Sequence, residues 1–408
     1  METEYLRFLL REMNSMFDAI VDPSAWRLLM AGTMTRLLNC DSLLDLATTH
    51  KINKDGLYQS LDTISPPRWL RRLIKRGRQK LAEHLRKWHA GDPSYKSRHF
   101  ITLCADDFTR SARGNVGGWS GLFYSGALKR VVLGINVEAL CAVVGDGLEV
   151  IILDVRIVPP AHEGPGQPPL TLNEWLRGSL RRLSACLKTM GTNLHGCPLS
   201  VDAAYVSPEN IDLIEQLEMH LVSKLSANRK VEGDVGGAIM AKVGYFAGLA
   251  IFVEHHRCRF LPGEDGVEYQ RNTVHVPSLR RDVLAVTFLR ETDFVVYFTT
   301  KLGMKTITLR NILRYRWQLE RIFWILKQDI GIGDIHNQKE NRVETRIYLH
   351  LIFAQVAREA ANVFNCSPKD IIRSIRCSPK RALQELGFHS AFATEQFLGP
   401  VSTTPLAA

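Results

Sequence analysis

The chain has 408 residues, 45% of them hydrophobic and 23% charged, with a formal net charge of +10; this length suits two or three domains and a sizeable core. The longest apolar run, residues 131–158, is broken by Asn136, Glu138, Asp146, Glu149 and Asp154, so nothing approaches the roughly 20 residues of a bilayer span, and METEYLRFLLREM lacks a signal-peptide core. Eight cysteines without a CxxC pair argue against a disulfide framework or structural zinc, and the expectation is a cytoplasmic protein with no membrane partner.

Residues 1–92 read as helical throughout. DSLLDLATTHKINKDGLYQSLDT places two short helices around a polar turn at 53–56, the spacing of a helix-turn-helix and equally of any helical hairpin. Pro66–His89, PPRWLRRLIKRGRQKLAEHLRKWH, then carries nine basic residues against Glu83 alone. Trp69, Leu73, Leu81, Leu85 and Trp88 form its packed side. Such a stripe is the electrostatic footprint of a phosphate backbone, which makes Arg71, Arg72, Lys75 and Arg76 candidate nucleic-acid contacts. A solvated helix face would carry the same charges. Gly-Asp-Pro at 91–93 closes the region.

From residue 93 the apolar pattern becomes β-rich. Strands are expected at 100–105, running into Asp106 and Asp107, at 130–137 and at 150–158. GNVGGWSG, 114–121, lacks the Lys-Ser/Thr of a phosphate-binding loop and is expected to be a flexible hairpin loop. A Pro/Gly-rich loop at 159–169 leads to a helix at 172–190. Next come a strand at 199–201 ending at Asp202, a helix at 208–219 begun by Ser207 and Pro208, and a strand at 220–225. Three strands, then helix, strand, helix, strand, is the order of a three-layered α/β arrangement. Residues 226–306 give short β segments, at 249–253, 273–276, 283–289 and 294–299, expected as an inserted subdomain. His255, His256 and Cys258 form the densest metal-type cluster there, but without a regularly spaced fourth ligand they are expected to be a polar loop or strand edge.

RYRWQLERIFWILK, 314–327, reads as one helix. At about 100° per residue, Glu320 and Lys327 lie roughly 40° and 20° around from Arg316, on a stripe beside Ile312, Leu319, Ile322, Phe323 and Leu326. The three charges suit a solvated edge with an i, i+4 pair. They equally suit a carboxylate kept at a buried margin by nearby cations. GIGD at 331–334 resembles a helix end followed by a turn. A further helix is expected at 344–364, with Asn341, Arg342 and Arg346 either a nucleic-acid surface or a solvated face, before a helical tail.

Asp107 and Asp202 each close a predicted strand, where open α/β sheets place ligand sites. With Glu320 they offer the hard oxygen ligands that two divalent ions, about 4 Å apart, require in phosphodiester chemistry. LCADDFT, LSVDAAYV and RYRWQLERIFWILK resemble, in order and context, the three catalytic segments of DDE transposases from bacterial insertion sequences. The narrowest resemblance is to the branch typified by insertion sequence 4, whose third segment carries Y-x2-R-x3-E-x6-K. Arg316, Glu320 and Lys327 match its R, E and K, whereas the tyrosine position holds Leu313, with Tyr315 two residues later. The D-x-T pattern of the first segment fits Asp107, Phe108 and Thr109, with Asp106 as the alternative.

The resemblance covers about residues 97–364 and implies an α/β fold with a ribonuclease-H-like core at 93–225 and 307–365. A β-rich insertion at 226–306 would fill the 118-residue separation of Asp202 and Glu320. A helical DNA-binding region, 1–92, would precede this core and a C-terminal helical tail, 366–408, would follow it. The family further implies Mg²⁺ held by Asp107, Asp202 and Glu320, with Mn²⁺ able to substitute and no other small-molecule cofactor. Arg316 and Lys327 would lie at the DNA backbone. The implied partner is double-stranded DNA, both terminal inverted repeats and target, bound by a dimer and leaving the protein nucleoid-associated. The implied reaction is metal-dependent cleavage of element ends followed by strand transfer; the alternatives are a DNA-binding relative that no longer cuts and a ribonuclease-H-like nuclease that never joins.

Overall fold

The structure is a computed structural model, and it describes residues 2–17, 23–62, 65–91, 95, 100–111, 118–125, 129–145, 149–160, 170–226, 229–232, 234–235, 238–239, 261–262, 268–289, 294–331 and 339–388. In chain order the helices are α1 (Glu2–Phe17), α2 (Pro23–Thr33), α3 (Leu43–His50), α4 (Lys54–Asp62), α5 (Pro66–His89), α6 (Leu172–Thr189), α7 (Pro208–Gln216), α8 (Thr306–Ile325), α9 (Glu340–Val363), α10 (Pro368–Cys377) and α11 (Pro379–Glu385). The strands are β1 (Ile101–Ser111), β2 (Gly121–Ser125), β3 (Arg130–Val144), β4 (Glu149–Val158), β5 (Pro198–Val201), β6 (His220–Lys224), β7 (Asp234–Val235), β8 (Ala238–Ile239), β9 (Leu261–Pro262), β10 (Glu268–Val276), β11 (Arg281–Leu289) and β12 (Phe294–Thr299). The chain divides into two compact units. One is Met1–Leu73, Thr109–Asn136 and Ile322–Ala408; the other is Ile74–Phe108 and Val137–Arg321. No helix among the described residues is long and apolar enough to cross a membrane.

The first unit is mainly helical and is built around α9, whose side chains from Val343 to Ala361 are almost all buried, as expected of a helix at the centre of a bundle. α1 lays Tyr5 and Phe8 edge-on against Phe364, with centroids 4.8 and 5.7 Å apart. Arg342 of α9 donates to Asp62 of α4 at 2.7 Å and lies over the Tyr58 ring. The turn between α3 and α4 falls at Lys51, in a left-handed conformation, and not at 53–56. Asn53 instead opens α4 by accepting the Gly56 N–H at 3.2 Å, which satisfies one of the free donors of its first turn.

The second unit is a sheet between two sets of helices. Its order is β3-β1-β5-β6-β12-β11-β10-β9, with β4 beside β3. β1, β5 and β6 run parallel, and the pairs from β6 to β9 are antiparallel. Alternation sorts the side chains. Leu103, Ala105, Leu199, Val201, Leu221, Val296 and Phe298 join Leu81 and Leu85 of α5, Leu176, Leu180 and Leu183 of α6, and Ile211 and Ile214 of α7. On the reverse face Val222, Leu284, Val286 and Val295 pack with Leu309 and Ile312 of α8. α6 is started by a capping box between Thr171 and Glu174.

Two expectations change here. β1 does not stop at residue 105 but runs through both aspartates to Ser111. The stretch 226–306, expected as an inserted subdomain, contributes β10, β11 and β12 to the same sheet, because FVVYFT is apolar on both faces and pairs β12 directly with β6, Phe298 opposite Ser223. The expected strand at 249–253 and the cluster His255, His256 and Cys258 lie outside the described residues. The seven cysteines among the described residues carry free thiols.

Candidate active site

The register of the parallel pair decides which aspartates meet. Ala105 is level with Val201, so Asp106 on β1 and Asp202, the first residue after β5, follow next to one another from strands spaced about 4.8 Å apart. Leu103, Ala105, Leu199 and Val201 all face the α5, α6 and α7 side. Side chains alternate along extended backbone, and Asp202 keeps an extended conformation, φ −74 and ψ 162; both aspartates therefore turn to the face that α8 covers.

α8 brings Arg316 and Glu320 to that face. Arg316 donates through Nη1 to Asp106 Oδ2 at 3.1 Å and forms an i, i+4 ion pair through Nη2 with Glu320 Oε1 at 2.6 Å. Burial works against the guanidinium's charge, yet Asp106, Glu320 and Asp202 together hold its pKa above the ordinary value. Asp106 is pushed up to about 7, first by burial and further by Asp107 and Glu320, with Arg316 opposing. Its Oδ1 also accepts the Asp107 N–H at 3.0 Å.

Asp107, one residue on, turns to the opposite face of β1. Its charge is felt by Glu138 and by Tyr205. Glu138 is buried, which raises its carboxyl, while Arg156 grips it through two nitrogens and lies over Trp175 at 5.6 Å. Tyr205, in the turn after Asp202, is fully buried, with no hydrogen-bond partner for its hydroxyl among the described residues. Burial and the charges of Asp107, Asp106 and Glu138 raise that hydroxyl well above the phenolic range. Sequence spacing signals neither the Glu138–Arg156 pair nor Tyr205, although Tyr205 sits within the quoted LSVDAAYV.

The remaining sequence candidates distribute as follows. Lys327 belongs to the first unit, half-buried in a π-helical turn, Leu326–Ile330, that continues α8. Leu313, at the signature tyrosine position, packs on the α8-side cluster, and Tyr315 is buried with its ring 5.9 Å from Phe100. On α5 Arg71, Arg72 and Lys75 are exposed and Arg76 is half-buried. Arg342 is paired with Asp62 and Arg346 is 4% exposed, so these two do not lie on an open face of either expected kind, nucleic-acid surface or solvated face; the burial of α9 removes it.

Among the described residues no group of three or more His, Cys, Asp or Glu side chains is arranged to hold a metal ion. The donor chemistry nevertheless fits one. Asp106, Asp202 and Glu320 are hard oxygen donors acting on one shared cation, the Arg316 guanidinium.

Residues 146–355, just over half of the chain, match the sequence family described as Transposase DDE domain. The match spans Asp202, Arg316, Glu320 and Lys327, and begins after Asp106 and Asp107. A search of curated proteins finds no match. Among solved structures the chain is similar to the NurA nuclease from Sulfolobus solfataricus, at 13% identity over 60% of this chain and 83% of that one, with a TM-score of 0.24, too low to carry any argument.

Proposed function

This chain belongs to the transposase DDE domain family, enzymes that act on DNA, and from that premise we propose that it cleaves the ends of an insertion sequence and transfers the freed 3′ ends into target DNA. The observation that carries the reading is one guanidinium, Arg316, hydrogen-bonded to Asp106, ion-paired with Glu320 and held charged by Asp202 as well. The proposed carboxylate set is Asp106, Asp202 and Glu320. Support for Asp106 over Asp107 comes from the β1/β5 register and from strand alternation.

These three side chains would hold Mg²⁺, with Mn²⁺ as a substitute; when bound, the metal supplies Lewis-acid stabilisation of phosphate oxygens and activates the attacking water or 3′-hydroxyl. Arg316 then has two roles. Before DNA binds it offsets the carboxylate charge; with DNA bound its fork can turn to a phosphate, whose two oxygens suit bidentate donation. Lys327 adds a second positive charge for the backbone, as do the exposed Arg71, Arg72 and Lys75 on α5, with the half-buried Arg76 beside them. Joining two ends calls for two copies on DNA, so a dimer is part of the proposal.

The test replaces Glu320 with Gln. Mg²⁺-dependent cutting of end DNA should disappear while duplex binding stays within a few-fold of the parent. Undiminished cutting by the variant removes Glu320 from the reaction. The occupation of the signature tyrosine position by Leu313 favours a second reading, a relative that binds without cutting; nicked product from the parent protein with Mn²⁺ would dismiss it.

A further inference from the structure

In the first unit β2 pairs antiparallel with the start of β3, Leu122 opposite Leu133 and Tyr124 opposite Val131. The side facing inward holds Gly121, Val132 and Gly134, all buried. The other side is apolar and open: Leu122 is 76% exposed, Tyr124 62%, Val131 59% and Leu133 40%. A single exposed leucine is ordinary, but four contiguous apolar side chains on one ribbon face mark a surface that meets something.

Charge identifies the partner. From Phe108 to Val137 the sequence has no Asp or Glu, yet it carries Arg110, Arg113, Lys129 and Arg130. Lys129 and Arg130 are exposed at the end of the ribbon where β3 begins; Arg130, opposite Ser125, alternates to the Val132 side, so its long side chain borders the apolar face from the ribbon's edge. A second copy docked here about a two-fold axis would set these like charges against each other, which disfavours self-association. Duplex DNA meets both demands. Its phosphates suit the cations, and its grooves offer sugar, base edges and thymine methyls to an apolar ribbon.

We propose that the β2–β3 hairpin is a DNA-contacting arm, with Leu122, Tyr124, Val131 and Leu133 seated in a groove of the duplex and Lys129 and Arg130 on the flanking phosphates. The inference rests on the reading of the chain as a DNA-cutting enzyme and adds a binding surface that the carboxylate set does not include. A two-stranded ribbon has the width of the major groove, and an apolar wedge in the minor groove would kink the duplex; either seat buries the same four side chains.

The test measures binding of the full chain, in EDTA so that nothing is cut, to a fluorescently labelled mixed-sequence duplex across a salt series. One variant carries Leu122→Ser and Tyr124→Ser, the other Lys129→Gln and Arg130→Gln. Apolar groups release no counterions, so the first variant should weaken binding at least tenfold at every salt concentration with the log–log slope unchanged. The second should flatten that slope by about 1 to 2, roughly one for each phosphate left without its cation. All four positions are exposed, so melting temperatures should match the parent. If the parent binds the duplex and both variants bind equally well, the arm is refuted and the enzyme reading stands. If the parent binds no duplex, both fall. If the Leu122/Tyr124 variant changes sedimentation behaviour but not DNA affinity, the face joins copies of the chain and the arm is refuted.

Discussion

Arg316 sets one positive charge among three carboxylates, Asp106, Asp202 and Glu320. Burial first, then the charges of Asp107 and Glu320, raise Asp106 to about 7 against the opposing Arg316, and such perturbed groups cluster where folds do chemistry. Spacing and strand ends are what single out the proposed D, D and E in the sequence. Which of the two adjacent aspartates meets Arg316 was not legible, because ITLCADDF is apolar or small at both parities and alternation cannot be phased without a partner strand. A second titrating group stands apart from this site. Burial, with Lys301 adding to it, pushes His220 down to about 4. Unfolded, the same imidazole takes up its proton near 6.5. The contribution of neutral His220 is thus full above about pH 6.5 and is lost as pH falls toward 4, up to about 3 kcal/mol. Melting curves from pH 7 to 5 should fall more steeply for the parent than for His220→Gln; parallel curves would contradict this.

Among the elements, α8 was the easiest to read, since its charged stripe beside an apolar stripe survives any detail of packing. The strands of 268–299 were individually legible, but their membership of the main sheet depends on the pairing of β12 with β6, some 70 residues apart in sequence, which no local pattern reports. α5 shows a second long-range effect. A methyl group built on Gly77 would lie 2.0 Å from the Ile152 carbonyl oxygen on β4. In an isolated helix Gly→Ala would stabilise by about 1 kcal/mol. Here the obstacle is backbone and the helix must shift, so Gly77→Ala should cost about 1–3 kcal/mol net and lower the melting temperature by several degrees. A higher melting temperature would show that α5 stands off from β4.

For the whole molecule, the basic composition is in keeping with a family that acts on DNA, while the division into units differs from the one expected. Residues 1–73 join 109–136 and 322–408, segments that meet only after folding, and the division falls after Leu73, within α5, rather than at the Gly-Asp-Pro stretch 91–93. The charge is concentrated on α5, where Arg71, Arg72 and Lys75 are exposed. If they face phosphates, replacing all three with Gln should reduce the slope of log affinity against log salt by up to about 3, nearly one per neutralised phosphate. An unchanged slope would return α5 to the role of a solvated helix.

The central claim is that Asp106, Asp202 and Glu320 work together on one face of the sheet. Metal-dependent nicking of a DNA end, measured side by side for Asp106→Asn, Asp107→Asn, Asp202→Asn and Glu320→Gln, tests it most directly. The account predicts that nicking is lost in the first, third and fourth variants and persists in Asp107→Asn. Loss in Asp107→Asn with full nicking by Asp106→Asn would contradict it.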